Sequence, residues 1–199
     1  RPHGPPVPTL TIRAAPPVPL ARGRFDGVLL FARPRGLWSK AALPQFKGLV
    51  RAEQAGHTGT LDPVASGLLP ICFGDATKFA HMLLDADKTY RGTVRLGERT
   101  ASADREYEVI ERRALPQFSG EHLRRELSLF PRDYSQIPPM HSALKQEGKP
   151  LYQYARAGIS RERIARAVTI HELSLLDWQA PDVSFDVRCT KGTYIRVLA

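Results

Sequence analysis

The chain has 199 residues, 42% of them hydrophobic, which is enough for one packed domain, with or without an attached piece. Lysine and arginine number 29 against 20 acidic residues, a formal net charge of +9, and that balance fits either a nucleic-acid partner or a solvated cationic face. The two cysteines, Cys72 and Cys189, sit in apolar segments, which argues against a disulfide framework or a zinc site. No apolar run reaches the roughly 18 to 20 residues of a membrane span. The N-terminus lacks the apolar centre of a secretory signal and starts without Met, so the sequence need not begin at the true start; a reducing cytoplasm is the default expectation.

Residues 1–23 are rich in Pro and Arg without a hydrophobic period and are expected to form a disordered or extended tail. The first strand is predicted at Phe25 to Ala32, between Gly23 and Pro34-Arg35-Gly36. A helix follows from Ser39, as N-cap, to about Gln54, with Pro44 expected to interrupt it or delay its start. Gly56 to Pro63 reads as loop, Leu68 to Gly74 as a short buried strand, and Ala76 to Leu84 as an amphipathic helix with Phe79, Met82 and Leu83 on one face.

Further strands are predicted at Thr89 to Leu96, Glu106 to Arg112, Ala167 to Trp178 and Val183 to Thr190. The last alternates Val183, Phe185, Val187 and Cys189 with Ser184, Asp186 and Arg188. Helices fit Gly120 to Leu129, capped by Ser119, and Leu151 to Ala157. Strands with irregularly interspersed helices indicate an α+β domain with a mixed, largely antiparallel sheet and flanking helices.

The informative segment is GHTGTLDPVASGLLP, Gly56 to Pro70. Its glycines let the backbone approach a ligand, and Asp62 before Pro63 is held extended, so its carboxylate points in a fixed direction. Alone, Asp62 would more often be a turn residue or helix cap, and His57 an ordinary loop histidine.

The complete string resembles the catalytic motif of the TruB family of pseudouridine synthases. Blocks in the same order resemble it too: DGVLLFARPRG at Asp26 to Gly36, DKTYRGTVRLG at Asp87 to Gly97, IPPMHSALKQEGKPLYQYAR at Ile137 to Arg156, and KGTYIR at Lys191 to Arg196. The resemblance runs from about Asp26 to the end. It implies a pseudouridine synthase fold over residues 24–199, incomplete at the C-terminus, because family members continue further.

The implied activity is isomerisation of uridine to pseudouridine at position 55 in the T loop of tRNA. Asp62 would be the essential carboxylate, attacking ribose or base, which the residues leave open. Neither metal nor other cofactor is needed. By the same resemblance Tyr90 stacks on the target base and assists proton removal from C5, Arg196 pairs with the carboxylate, Tyr194 lines the pocket, and His57 fills the space left by the flipped nucleotide. Candidate phosphate contacts are Lys78, Lys88, Arg91, Lys145 and Lys149, with Arg156 weaker; any of them could equally be solvated. The expected partner is the tRNA T arm, met by a monomer with no membrane contact.

The chain departs from the family pattern at Ala32-Arg33-Pro34, where Asp-Lys-Pro is usual, and at Trp38-Ser39, where Thr-Ser is. Thr100, Ala101 and Ser102 precede Asp104 with one acidic residue lost, and His141 stands where tyrosine is common. The alternatives are a guide-RNA-dependent relative of the dyskerin type and a non-catalytic tRNA-binding or folding module. The His-Thr-Gly wording and the SALK block favour the stand-alone enzyme.

Overall fold

The computed structural model describes residues 25–198, so the expected tail at 1–23 lies outside the described residues. Strand β1 (Gly27–Arg33) alternates in burial along its length, as a strand with one covered face must. It pairs antiparallel with β3 (Gly67–Phe73), which pairs antiparallel with β2 (Ala55–His57), giving the order β1-β3-β2. Helix α1 (Ser39–Val50) covers the inner face of this sheet. Ile71 and Phe73 are buried there against Leu29, Phe31, Leu43 and Phe46, and the rings of Phe31 and Phe46 meet edge to face at 4.7 Å.

A larger sheet runs β4 (Lys88–Arg95), β11 (Asp182–Cys189), β10 (Arg166–Gln179) and β7 (Asp133–Gln136), in that order. The predicted alternation of β11 holds: Val183, Phe185, Val187 and Cys189 are buried. Ile170 joins them, and Tyr90, Val94, Phe130, Leu173 and Ile195 pack around the cluster. Gly92 is opposite Phe185 in the ladder, and a Cβ there would stand 2.9 Å from the ring. Only glycine lets the phenyl lie across β4.

The other elements are small. Two hairpins form, β5 (Glu98–Thr100) with β6 (Val109–Arg112) and β8 (Lys145–Gln146) with β9 (Lys149–Pro150). Helices α2 (Ala80–Asp85), α3 (Gly120–Ser128), α4 (Leu151–Arg156) and α5 (Ile195–Leu198) complete the order. The α+β class is observed, and every strand pairing among the described residues is antiparallel. The strands divide between separate sheets rather than one.

Several local expectations change. Pro44 does not break α1, which runs continuously from Ser39; the carbonyl that loses its amide partner belongs to exposed Lys40, which water can reach. The helix ends at Val50 rather than Gln54, because Arg51 turns left-handed at φ 50°. Trp38 is the N-cap residue, while Ser39 turns its hydroxyl to Leu61 instead. Gly56 and His57 belong to β2, drawn into the ladder by Cys72 and Ile71. Gly74–Phe79 is a 3-10 turn leading into α2, and Phe79 and Met82 on the predicted apolar face are 61% and 63% exposed. Ser119 does cap α3, accepting from the His122 amide at 3.2 Å.

Candidate active site

The loop between β2 and β3 is fixed from several sides. At its entrance the Thr58 amide donates to the Pro70 carbonyl at 3.0 Å, and the Thr58 side chain is buried. In the middle the Ala65 amide closes a turn on the Asp62 carbonyl at 3.0 Å, the Leu61 amide donates to Ser39 Oγ at 3.3 Å, and the Gly36 amide reaches the Pro63 carbonyl at 2.8 Å. Gly59, at φ 125°, supplies a backbone conformation that side chains disfavour.

Beneath the loop lies Arg33, only 1% exposed. Its guanidinium donates to the carbonyls of Asp62 at 2.7 Å and Ala65 at 2.5 Å, and to that of Leu37. Burial lowers its pKa, with the nearby Asp62 charge opposing. A charge removed from water needs such a set of acceptors to be tolerated. The arginine that replaces the usual lysine thus holds both sides of the loop to the segment before α1, by the planar fork that distinguishes it from an ammonium.

Above the loop, Asp62 keeps 45% of its side chain exposed while Arg196, 3.2 Å away through Nη1, keeps 12%. The guanidinium is divided: its Nη2 donates to the His141 carbonyl, so Asp62 is not gripped by both nitrogens. Burial raises the Asp62 pKa above the usual carboxylate range, Arg196 pulling it down, Asp104 adding to the rise and Arg33 opposing it. His141 is itself anchored, its Nδ1 3.3 Å from the Tyr107 hydroxyl.

Tyr90 projects from β4, and its pKa is pushed up to about 12 by burial first and then by the charges of Cys189 and Asp62. It is a neutral phenol at physiological pH, able to stack and donate rather than act as a phenolate. Tyr194 stands at the turn into α5, held by buried Gln136, which accepts from its amide at 2.8 Å and donates to its carbonyl at 3.1 Å. Its ring lies 5.8 Å from the Arg196 guanidinium carbon. His57, half-buried on β2, has a buried Nδ1 without a hydrogen-bond partner among the described residues.

The outlying cations divide. Lys78 pairs with Asp75 at 2.8 Å and Arg91 with Asp186 at 2.8 Å, while Lys88 donates to the carbonyls of Leu84 and Ala86 at the end of α2. Lys145 and Lys149 are exposed on the β8–β9 hairpin, and Arg156 lies over the Tyr152 ring at 5.4 Å. Sequence reading missed Arg33, Gln136, Tyr107 and Ser39 as parts of this site. Only Arg33 left a signal, its departure from the usual lysine.

Residues 47–195 match the family described as TruB family pseudouridylate synthase (N terminal domain). The tRNA pseudouridine synthase B of Burkholderia mallei is 54% identical over 90% of this chain and 59% of its own length. That of Cupriavidus metallidurans is 53% identical over 94% of this chain and 60% of its own length. The chain therefore spans about 60% of the length of these relatives. A crystal structure of a Cbf5-Nop10-Gar1 complex contains a chain similar in fold, with a TM-score of 0.64, 27% identity, and coverage of 88% of this chain and 42% of that one.

Proposed function

Because the chain belongs to the TruB family of pseudouridylate synthases, we propose that it carries the catalytic loop of a tRNA uridine-to-pseudouridine isomerase acting on the T loop at position 55. The observation that supports this best is the Asp62–Arg196 pair: a half-exposed carboxylate on a fixed loop, paired with a largely buried guanidinium, the carboxylate's charge being felt by the neutral phenol of Tyr90.

The chemistry asks little beyond that set. The bond between the uracil N1 and the ribose C1′ breaks, the base turns, and C5 bonds to C1′. C5 then loses its proton and N1 gains one, so atoms and charge balance without an oxidant or a hydrolytic water. Ionised Asp62 serves as nucleophile or as stabiliser of the cationic ribose, and Arg196 keeps it ionised and aimed.

A stacked uridine cannot reach the carboxylate, so the base must flip out, at a cost of roughly a few kcal/mol. Stacking on Tyr90 returns about 1–3 kcal/mol, and His57, at the loop entrance, fills the gap left in the RNA. The neutral state of Tyr90 favours stacking and hydrogen bonding over direct abstraction of the C5 proton. The test is pseudouridine mapping in an unmodified tRNA transcript after incubation with the protein and no guide RNA. Pseudouridine appearing only when a guide RNA is supplied would favour the dyskerin-type alternative; binding without turnover would favour the non-catalytic module.

A further inference from the structure

Trp38 offers 58% of its surface to solvent, an unusual position for a large indole. The chain's other tryptophan, Trp178, is stacked on Phe118 at 5.0 Å and 23°. The backbone on both sides of Trp38 is tied to the active-site loop. The Gly36 amide is bonded to the Pro63 carbonyl, the Leu37 carbonyl accepts from buried Arg33, and buried Ser39 accepts from the Leu61 amide. The carbonyl of Trp38 itself accepts from the Ala41 and Ala42 amides at 2.9 and 3.3 Å. Following these bonds, its Cα lies within roughly 15 Å of that of Asp62.

The surroundings are cationic. Arg35 and Lys40 stand on either side of Trp38 in the chain, both are exposed, and neither has an ion-pair partner among the described residues. The first turn of α1 carries no acidic residue. An aromatic on a fixed backbone loses little entropy on binding, and an aromatic face between free cations is what single-stranded nucleic acid uses, bases on the ring and phosphates on the charges. A purely apolar partner would gain nothing from those charges.

We propose that Trp38 is a stacking platform for an unpaired base flanking the uridine delivered to Asp62, with Arg35 and Lys40 on the adjoining phosphates. This rests on the pseudouridine-synthase reading of the same site and adds to it a binding residue at a position where the chain departs from its family pattern.

The test uses a fluorescein-labelled T-arm stem-loop and anisotropy titrations in the full chain. Trp38→Ala weakens binding about five- to thirtyfold, and Trp38→Phe, which keeps a ring, recovers most of that. The salt slope is unchanged in both, whereas Arg35→Gln and Lys40→Gln each lower it by about 1. In Trp178→Phe, where Trp38 is the remaining indole, unlabelled RNA quenches its emission with the same midpoint as the anisotropy curve, a readout that needs no change at position 38. Wild-type affinity in Trp38→Ala, or unquenched emission with RNA bound, overturns the proposal even if pseudouridine still forms. Binding and quenching without any pseudouridine overturn the functional reading and leave the stack standing. A wild-type chain that does not bind the stem-loop overturns both.

Discussion

Arginine does opposite work on the β4–β11 ladder and at the Asp62 loop. On the ladder, Arg91 stands directly across from Asp186 and Arg95 from Asp182, each bonded through two nitrogens at 2.8 to 3.0 Å. These are bidentate ion pairs at normal hydrogen-bond distances, yet the Arg91 side chain is 72% exposed and that of Arg95 56%. At the loop the geometry is less symmetrical: Arg196 divides itself between a carboxylate and a carbonyl, and Arg33 bonds carbonyls alone. Burial, not the regularity of the contact, decides what an arginine is worth, because water competes for the first pair of residues and not for the second.

The strongest way to break the comparison is to remove the carboxylate that Arg196 holds. On the proposed reading, in which the carboxylate supplies chemistry rather than the bulk of binding, Asp62→Asn is expected to reduce pseudouridine formation below detection, with T-arm affinity within a few-fold of wild type. Equal loss of both would show that Asp62 serves binding instead. Its raised pKa gives the same variant a second signature. A carboxyl whose folded pKa exceeds its unfolded value, ordinarily about 3.9, contributes stability in full below the unfolded value and loses it as pH rises through the folded one. Asp62→Asn therefore stabilises the fold at neutral pH, and the gain disappears under acid, as urea midpoints at the two pH values will show.

Next comes the arginine under the loop. Arg33→Met keeps much of the stem volume but leaves the carbonyls of Leu37, Asp62 and Ala65 without their donor. An unpaired buried acceptor costs roughly 1–3 kcal/mol, so urea unfolding should show a loss of about 3 kcal/mol, and Arg33→Lys, which retains a charge but not the fork, a smaller one. A midpoint in Arg33→Met equal to wild type would mean that the loop does not depend on this residue.

A subtler change is expected from Arg196. If catalysis needs ionised Asp62, kcat/KM has an acid limb above the ordinary carboxylate range, because burial outweighs the attraction of Arg196. Arg196→Gln removes that attraction, so the limb moves to still higher pH and the plateau falls. Arg196→Lys keeps the charge: the limb stays near its wild-type position while the plateau drops, since one ammonium nitrogen lacks the planar fork whose two nitrogens reach Asp62 and the His141 carbonyl separately. A limb that does not move in Arg196→Gln would separate this arginine from the ionisation of Asp62.

What was legible in the sequence follows the same divide. The period of two in Val183 to Cys189 located β11, and the Asp62 loop was set apart by its glycines and its Asp-Pro pair, because both patterns are local. Arg33 was not legible as a buried residue: its partners Asp62 and Ala65 lie 29 and 32 positions away, and an arginine after an apolar strand ordinarily marks its solvated end. Gln136 escaped notice for the same reason, its contact with Tyr194 spanning 58 positions. The exposure of Phe79 and Met82 was equally hidden, since a helical period tells which residues share a face and not whether anything covers it.

The smallest effect belongs to the exposed ladder and completes the comparison. Arg91→Gln removes a bidentate pair whose arginine stands in water, where Coulomb attraction is weak and ordering two side chains offsets much of it. Its partner Asp186, held below the usual carboxylate range by the hydrogen bond from Arg91, reverts toward the ordinary value. The urea midpoint should stay within experimental scatter of wild type, and any difference should vanish in 1 M salt, where screening acts within roughly 3 Å. The RNA readout divides the surface further. Arg91 already has a carboxylate against it, so its removal should leave the salt slope of stem-loop affinity nearly unchanged. Lys145→Gln, which deletes an exposed cation of the β8–β9 hairpin, should lower that slope by about 1 if the hairpin meets phosphate. Equal slopes in the two variants would mean that pairing with a carboxylate does not decide which surface cations meet the RNA.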